Sequence, residues 1–116
     1  MASIIIALGS NSRQAVHIEW ASQRLATLFA DVRMSRKLWT HDVKGSGRMY
    51  MNRLMKATTS LGAEEINTLL KQLEKEAQRT HDEVTIDLDL MQYDSEQYHP
   101  KDWPRPYIQQ LIPDIL

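Results

Sequence analysis

Val84-Thr85-Ile86-Asp87-Leu88-Asp89-Leu90 is the stretch on which the fold turns. Apolar and non-apolar residues alternate strictly along it, which is the period of a half-buried β-strand. Val84, Ile86, Leu88 and Leu90 share one face, and Thr85, Asp87 and Asp89 share the other. Carboxylates two residues apart on a strand stand roughly 7 Å apart at Cα and point the same way. Like charges that close repel, and strands disfavour Asp, so the pair calls for a cation. A divalent metal with oxygen ligands meets that need, and Mg²⁺ held by one or two carboxylates plus phosphate oxygens suits it best. The plainer alternative is a solvated edge-strand face helped by Lys or Arg.

Upstream, Thr80 to Glu83 is a very short link from a helix spanning about Ala63 to Arg79. Ile66, Leu69, Leu70, Leu73 and Ala77 form the apolar stripe of that helix, and Glu64 and Glu65 suit its N-terminal dipole. Before it lies a strand from Met49 to Ser60. Tyr50, Asn52 and Leu54 share one face of this strand, with Met51, Arg53 and Met55 on the other. A polar loop, His41 to Arg48, carries two glycines and reads as either a lid or a simple connection. Val32 to Thr40 reads as a weakly patterned strand with Val32, Met34 and Leu38 inward. Arg13 to Phe29 reads as a helix with Ser12 as its N-cap and a stripe of Ile18, Ala21, Leu25 and Leu28. The run Ser3 to Leu8, with Ile4, Ile5 and Ile6, reads as a buried central strand. Downstream of Tyr93 the chain is irregular, closing in a short helical segment, Tyr107 to Leu111, and an apolar tail.

The order β-α-β-β-α-β predicts an α+β, ferredoxin-like fold: an antiparallel sheet with both helices on one face, in a single domain over residues 1–116. The helices then cover Val84, Ile86, Leu88 and Leu90. Asp87 and Asp89 fall on the open face, where Tyr50 and Asn52 join them if Met51 and Met55 point to the helices.

Composition narrows the function classes. A chain of 116 residues with 42% hydrophobic and 25% charged residues is ordinary for a soluble globular domain. The net charge of −1 offers no basic footprint for nucleic acid. With no cysteine, a disulfide frame, a thiolate metal site and a thiol nucleophile are excluded. The apolar N-terminus is too short to span a bilayer and lacks the pattern of a signal peptide. A cytoplasmic protein with no membrane partner is the expectation; the oligomeric state is open.

Five segments carry a resemblance to a known family. Ala7-Leu8-Gly9-Ser10-Asn11 ends the first strand, and Tyr50-Met51-Asn52 lies on the third. Glu74 and Arg79 stand five apart at the end of the second helix. Thr85-Ile86-Asp87-Leu88-Asp89-Leu90 is the acidic strand, and Ile112-Pro113-Asp114-Ile115 closes the chain. In this order they resemble the 6-hydroxymethyl-7,8-dihydropterin pyrophosphokinase (HPPK) family of folate biosynthesis.

The resemblance implies transfer of pyrophosphate from ATP to the hydroxymethyl group of a dihydropterin, with release of AMP. It implies two Mg²⁺ ions around the ATP phosphates, held by Asp87 and Asp89. Tyr50 would stack on the pterin, Asn52 would read its amide edge, and the segment around Thr40 would give it backbone contacts. Trp103 would close the aromatic sandwich. Glu74, His99 and Lys101 would face the nucleotide, and Arg79 would clamp phosphates.

Each residue also has a plainer reading. Glu74 and Arg79 suit an exposed helix side, His99 a surface position, and Trp103 an anchor for the C-terminal tail. The chain departs from the family pattern at the link before the acidic strand. A long arginine-bearing loop shrinks here to Thr80–Glu83, and Val84 stands where the family has an arginine. His81, Lys44, Arg48 and Lys101 are the cations that could replace the missing charge. Two other readings stay open: a non-catalytic relative that binds pterin or nucleotide, and an interaction domain that pairs through its open sheet face.

Overall fold

A computed structural model describes residues 1–42 and 44–116. β1 (Ala2–Ser10) is followed by α1 (Gln14–Leu28), β2 (Ala30–Met34), β3 (Leu38–His41) and β4 (Met49–Thr59). Then come α2 (Ala63–Glu76), β5 (Asp87–Tyr93), β6 (Glu96–Gln97), α3 (Pro106–Leu111) and a 3₁₀ turn over Ile112–Asp114. The sheet is antiparallel in the order β2-β4-β1-β5-β6, with β3 also on β4. This is the α+β, ferredoxin-like arrangement expected from the order of elements.

β1 is central because its isoleucines bury on both faces. Ile4, Ile6 and Leu8 meet Ile18, Ala21 and Leu25 of α1 and Ile66, Leu70 and Leu73 of α2. Both helices therefore lie on one face. Met51, Met55, Ile86, Leu88 and Leu90 complete this core, so Asp87 and Asp89 point away from it. The α1 stripe differs in one position. Leu28, at the last turn, is exposed, and Ser22 is buried in its place, donating its hydroxyl to Ile18 O at 2.7 Å.

The opposite face is not fully open. Ile5, Leu54 and Met91 are covered by Ile108, Leu111 and Ile115 from α3 and the tail. The C-terminal segment thus caps one half of the sheet and leaves the half bearing Gly9, Asn52, Asp87 and Asp89 accessible. A bulge opposite Ile5 and Ile6 inserts one extra residue in β5. The alternation slips there, and Tyr93 returns to the helix-side core.

Three element boundaries differ from the sequence reading. The strand expected over Val32–Thr40 is two strands, β2 and β3, parted at Ser35–Lys37. Ser35 is buried and bonds both ways with Leu54, N to O at 2.9 Å and Leu54 N to Oγ at 2.8 Å. Its hydroxyl replaces a carbonyl, so the ladder is kept while the chain steps sideways. Arg36, at the step, holds Asp114 through its backbone N and its Nη1, both at 2.9 Å, and so fastens the tail. The acidic strand begins at Asp87, three residues late, because Val84 pairs instead with Asn11: Val84 N to Asn11 Oδ1, and Asn11 N to Val84 O, both 2.9 Å. Apart from these boundaries, the cap of α1 also differs: Arg13, not Ser12, holds the cap position, in a left-handed conformation, φ 45°.

The third boundary is the end of α2. The helix stops at Glu76 rather than Arg79 because Gln78 turns left-handed, φ 58°. Gln78 N bonds Lys75 O at 2.9 Å and Arg79 N bonds Glu74 O at 3.2 Å. This paired closure is a Schellman motif. It folds Arg79 back over the helix end from which Glu74 projects.

Candidate active site

Two cavities lie on the accessible half of the sheet. The larger, about 730 Å³, is floored by Ala7 and Gly9 of β1 with Tyr50 and Asn52 of β4, and walled by the 42–48 loop, the 80–84 link and Tyr107. The smaller, about 290 Å³, lies between α2 and β5, lined by Asn67, Lys71, Glu74 and His99 among others. Arg79, Asp87 and Asp89 line both. The acidic pair of β5 is thus the seam between a ring-sized space and a groove beside a helix.

The floor of the larger cavity depends on Gly9. A Cβ there would meet Asn52 Oδ1 at 3.3 Å and Tyr50 Cδ2 at 3.7 Å, so glycine lets both side chains lie across β1. Asn52 donates its amide to Thr40 Oγ1 at 2.6 Å, which fixes the direction of its carbonyl oxygen. Asn11 donates to the Tyr50 hydroxyl at 3.3 Å. Partial burial, with the charges of Asp42 and Asp87 nearby, raises the Tyr50 pKa and keeps the phenol protonated.

At the seam, Arg79 Nη1 reaches Asp87 Oδ1 at 2.8 Å and Glu74 Oε2 at 2.9 Å. The same Glu74 oxygen accepts Leu88 N at 2.9 Å. Partial burial works against the Arg79 charge, but Asp87 and Glu74 outweigh it and hold the guanidinium firmly protonated. Among the described residues Asp89 has no such partner; His99 Nε2 is 3.9 Å away. Burial first, and then the neighbouring Asp87 charge, push the Asp89 carboxyl up to about 6. Both causes disfavour the charged form of the carboxyl.

Among the described residues no group of three or more His, Asp or Glu side chains converges on one point. The candidate donors on β5 are the two carboxylates of Asp87 and Asp89. That is too few for an all-protein metal cage, but it fits Mg²⁺, which takes one or two carboxylates together with substrate phosphates and water.

Two sequence assignments fall elsewhere. Trp103 lines neither cavity; it packs against the Ile5–Leu54–Met91 cluster and donates Nε1 to Tyr98 O at 2.9 Å. It is the tail anchor of the plainer reading. The aromatic that lines the larger cavity with Tyr50 is Tyr107, at the start of α3, whose hydroxyl is pushed up to about 12 by burial and by Asp102. Lys101 is exposed and lines neither cavity. His99 lines the smaller one. Arg105, also missed by sequence reasoning, lines the larger and pairs with Asp102 at 2.8 Å. The Asp-x-x-Arg-Pro-Tyr spacing over 102–107 was the available signal: proline at the first helical position fixes where the short helix starts and hence which aromatic follows it.

An acidic pair with an arginine beside it stands at the junction of the larger cavity and the polar groove, and the family match sets the class: a transferase of phosphoryl-type groups. The chain belongs to one family within that class. A profile described as 7,8-dihydro-6-hydroxymethylpterin-pyrophosphokinase (HPPK) matches residues 5–115, nearly the whole chain. The family is one of pyrophosphokinases of folate biosynthesis that act on small molecules. No curated protein sequence matches the chain. Among the described residues no helix is long and apolar enough to cross a membrane.

Proposed function

We propose that this protein transfers pyrophosphate from ATP to the hydroxymethyl oxygen of 6-hydroxymethyl-7,8-dihydropterin in the cytoplasm, releasing AMP, in an Mg²⁺-dependent reaction. The observation that carries this reading is the sharing of Arg79, Asp87 and Asp89 by the two cavities. A ring bound over Tyr50 and a nucleotide bound beside Glu74 and His99 would meet at that seam.

The geometry supports a role for each residue. Tyr50 and Tyr107 offer aromatic faces to a pterin. Asn52, its amide already committed to Thr40, presents its carbonyl oxygen to a ring N–H. Asp87 and Asp89 would hold Mg²⁺, which when bound would neutralise phosphate charge and orient the phosphates for in-line attack. Arg79 would bind the phosphates as well as Asp87. Glu74 fixes Leu88 N and Arg79 together, so β5 and the α2 terminus present their charges in register. Transfer of this kind is mostly positioning plus charge neutralisation.

The test is AMP formation by purified protein given ATP, the hydroxymethyl-dihydropterin and Mg²⁺. AMP should appear only with all three present. Absence of AMP at high enzyme concentration rejects catalysis. Melting temperature supplies a second readout: Mg²⁺ with an ATP analogue should raise it by mass action, and the Asp87→Asn/Asp89→Asn double variant should not respond.

A further inference from the structure

The 80–84 link brings no lysine or arginine to the larger cavity, only Thr80, His81, Asp82 and Val84. Three arginines line the same cavity. Two are already committed to carboxylates: Arg79 to Asp87 and Glu74, and Arg105 to Asp102. Arg48 makes no ion pair and no side-chain hydrogen bond among the described residues.

Its position is nevertheless set by the backbone. Thr40 pairs with Tyr50 and His41 with Met49, and Asp42 N then donates to Arg48 O at 3.0 Å, one rung beyond β4. Arg48 precedes Tyr50 by two residues, so its side chain leaves on the face that carries Tyr50 and Asn52. Arg48 N also bonds Ser46 Oγ at 3.2 Å, and Gly45 and Gly47 take left-handed angles, φ 76° and 83°, that close the turn above it. Lys44, in that turn, lines the cavity too and has no ion pair among the described residues.

We infer that Arg48, assisted by Lys44, binds the phosphate groups of the nucleotide where they reach past Asp87 and Asp89 into the larger cavity, supplying from the β3–β4 loop the charge that the 80–84 link lacks. The inference rests on the proposed pyrophosphate transfer. The physical reason is availability: Arg79 shares its charge with Asp87 and Glu74, whereas a guanidinium with no ion pair among the described residues offers a second bidentate fork that no carboxylate already holds.

The experiment compares wild type with Arg48→Ala, Arg48→Lys and Lys44→Ala. Binding of α,β-methylene-ATP with Mg²⁺, of AMP, and of the pterin is measured by calorimetry, beside AMP formation and melting temperature. Arg48→Ala should weaken α,β-methylene-ATP binding by about tenfold or more, the worth of one charge-assisted contact. It should leave AMP and pterin binding and the melting temperature unchanged. Arg48→Lys should recover part of the loss, and Lys44→Ala should show a smaller loss of the same kind.

An active wild type with an equally active Arg48→Ala variant overturns the inference and leaves the transfer reading intact. Weakened pterin binding alone overturns it as well, because Arg48 would then serve the ring. A wild type that forms no AMP overturns the transfer reading. The α,β-methylene-ATP comparison then decides Arg48 by itself, and failure of the wild type to bind that analogue rejects the inference too.

Discussion

Arg79 Nη1 lies 2.8 Å from Asp87 Oδ1, and the backbone that permits this contact is the left-handed turn at Gln78. A Glu and an Arg five apart do not face each other on a continuous helix. The helix has to end between them before both can reach one strand.

Arg79→Ala should therefore act on two quantities at once. Loss of a partly exposed ion pair network costs about 1 kcal/mol of stability. Loss of a phosphate-facing guanidinium beside the acidic pair lowers AMP formation by about a thousandfold, as for arginines that stabilise phosphoryl transfer elsewhere. Arg79→Lys keeps the charge without the fork and should recover only a small part of the rate. Denaturant unfolding and steady-state AMP release separate the two effects.

Gln78→Gly tests the turn itself. A non-glycine residue in the left-handed region carries a steric cost that glycine avoids. The substitution should raise stability by about 0.5–1 kcal/mol and leave the Arg79–Asp87 contact and the reaction rate in place. A fall in stability would mean that the turn is not what holds the helix end.

Asp89 sets a pH dependence whose sign is fixed. Its native carboxyl is raised to about 6 from an ordinary 3.8, so the folded protein binds this proton more tightly than the unfolded chain. The contribution to stability is fully present below the unfolded value and is lost as pH rises through about 6. In chelator at pH 7, Asp89→Asn should be more stable than wild type by about 1 kcal/mol, a figure discounted for solvent screening because the side chain is 35% exposed. The difference should vanish toward pH 4. Thermal melts across this range provide the check.

Tyr107 and Trp103 should separate cleanly. Tyr107→Ala removes an aromatic wall of the larger cavity and should weaken pterin binding by about tenfold, since an aromatic stack contributes about 0.5–1.5 kcal/mol beyond its buried area. Trp103→Ala should cost about 2–3 kcal/mol of stability by emptying the site against the C-terminal cluster, with pterin affinity unchanged. Pterin titration and denaturant unfolding on both variants measure this double contrast.

Much of the fold could be read locally. The alternation over Val84–Leu90 assigned the faces of the acidic strand, and the helical stripes of Ile66, Leu70 and Leu73 and of Ile18, Ala21 and Leu25 assigned the helix side of the sheet. The break at Ser35 was not legible, because a serine hydroxyl can replace a ladder carbonyl without any change in hydropathy. The cover over Ile5, Leu54 and Met91 was not legible either: the tail reads as apolar, but nothing local says which face it meets. That Tyr107 rather than Trp103 lines the larger cavity was not legible either, because linear sequence does not report which side of a short helix faces a cavity.

The sequence by itself determined the order β-α-β-β-α-β and put Asp87 and Asp89 on the face away from the helices, because periods of two and 3.6 residues are properties of neighbouring residues alone. The tertiary structure alone decided the charge balance at the site. Whether an arginine is held by carboxylates, as Arg79 is, or has no ion pair among the described residues, as Arg48 has none, depends on which side chains the chain reversals bring within 3 Å of each other, roughly the reach of one hydrogen bond. No local pattern encodes that.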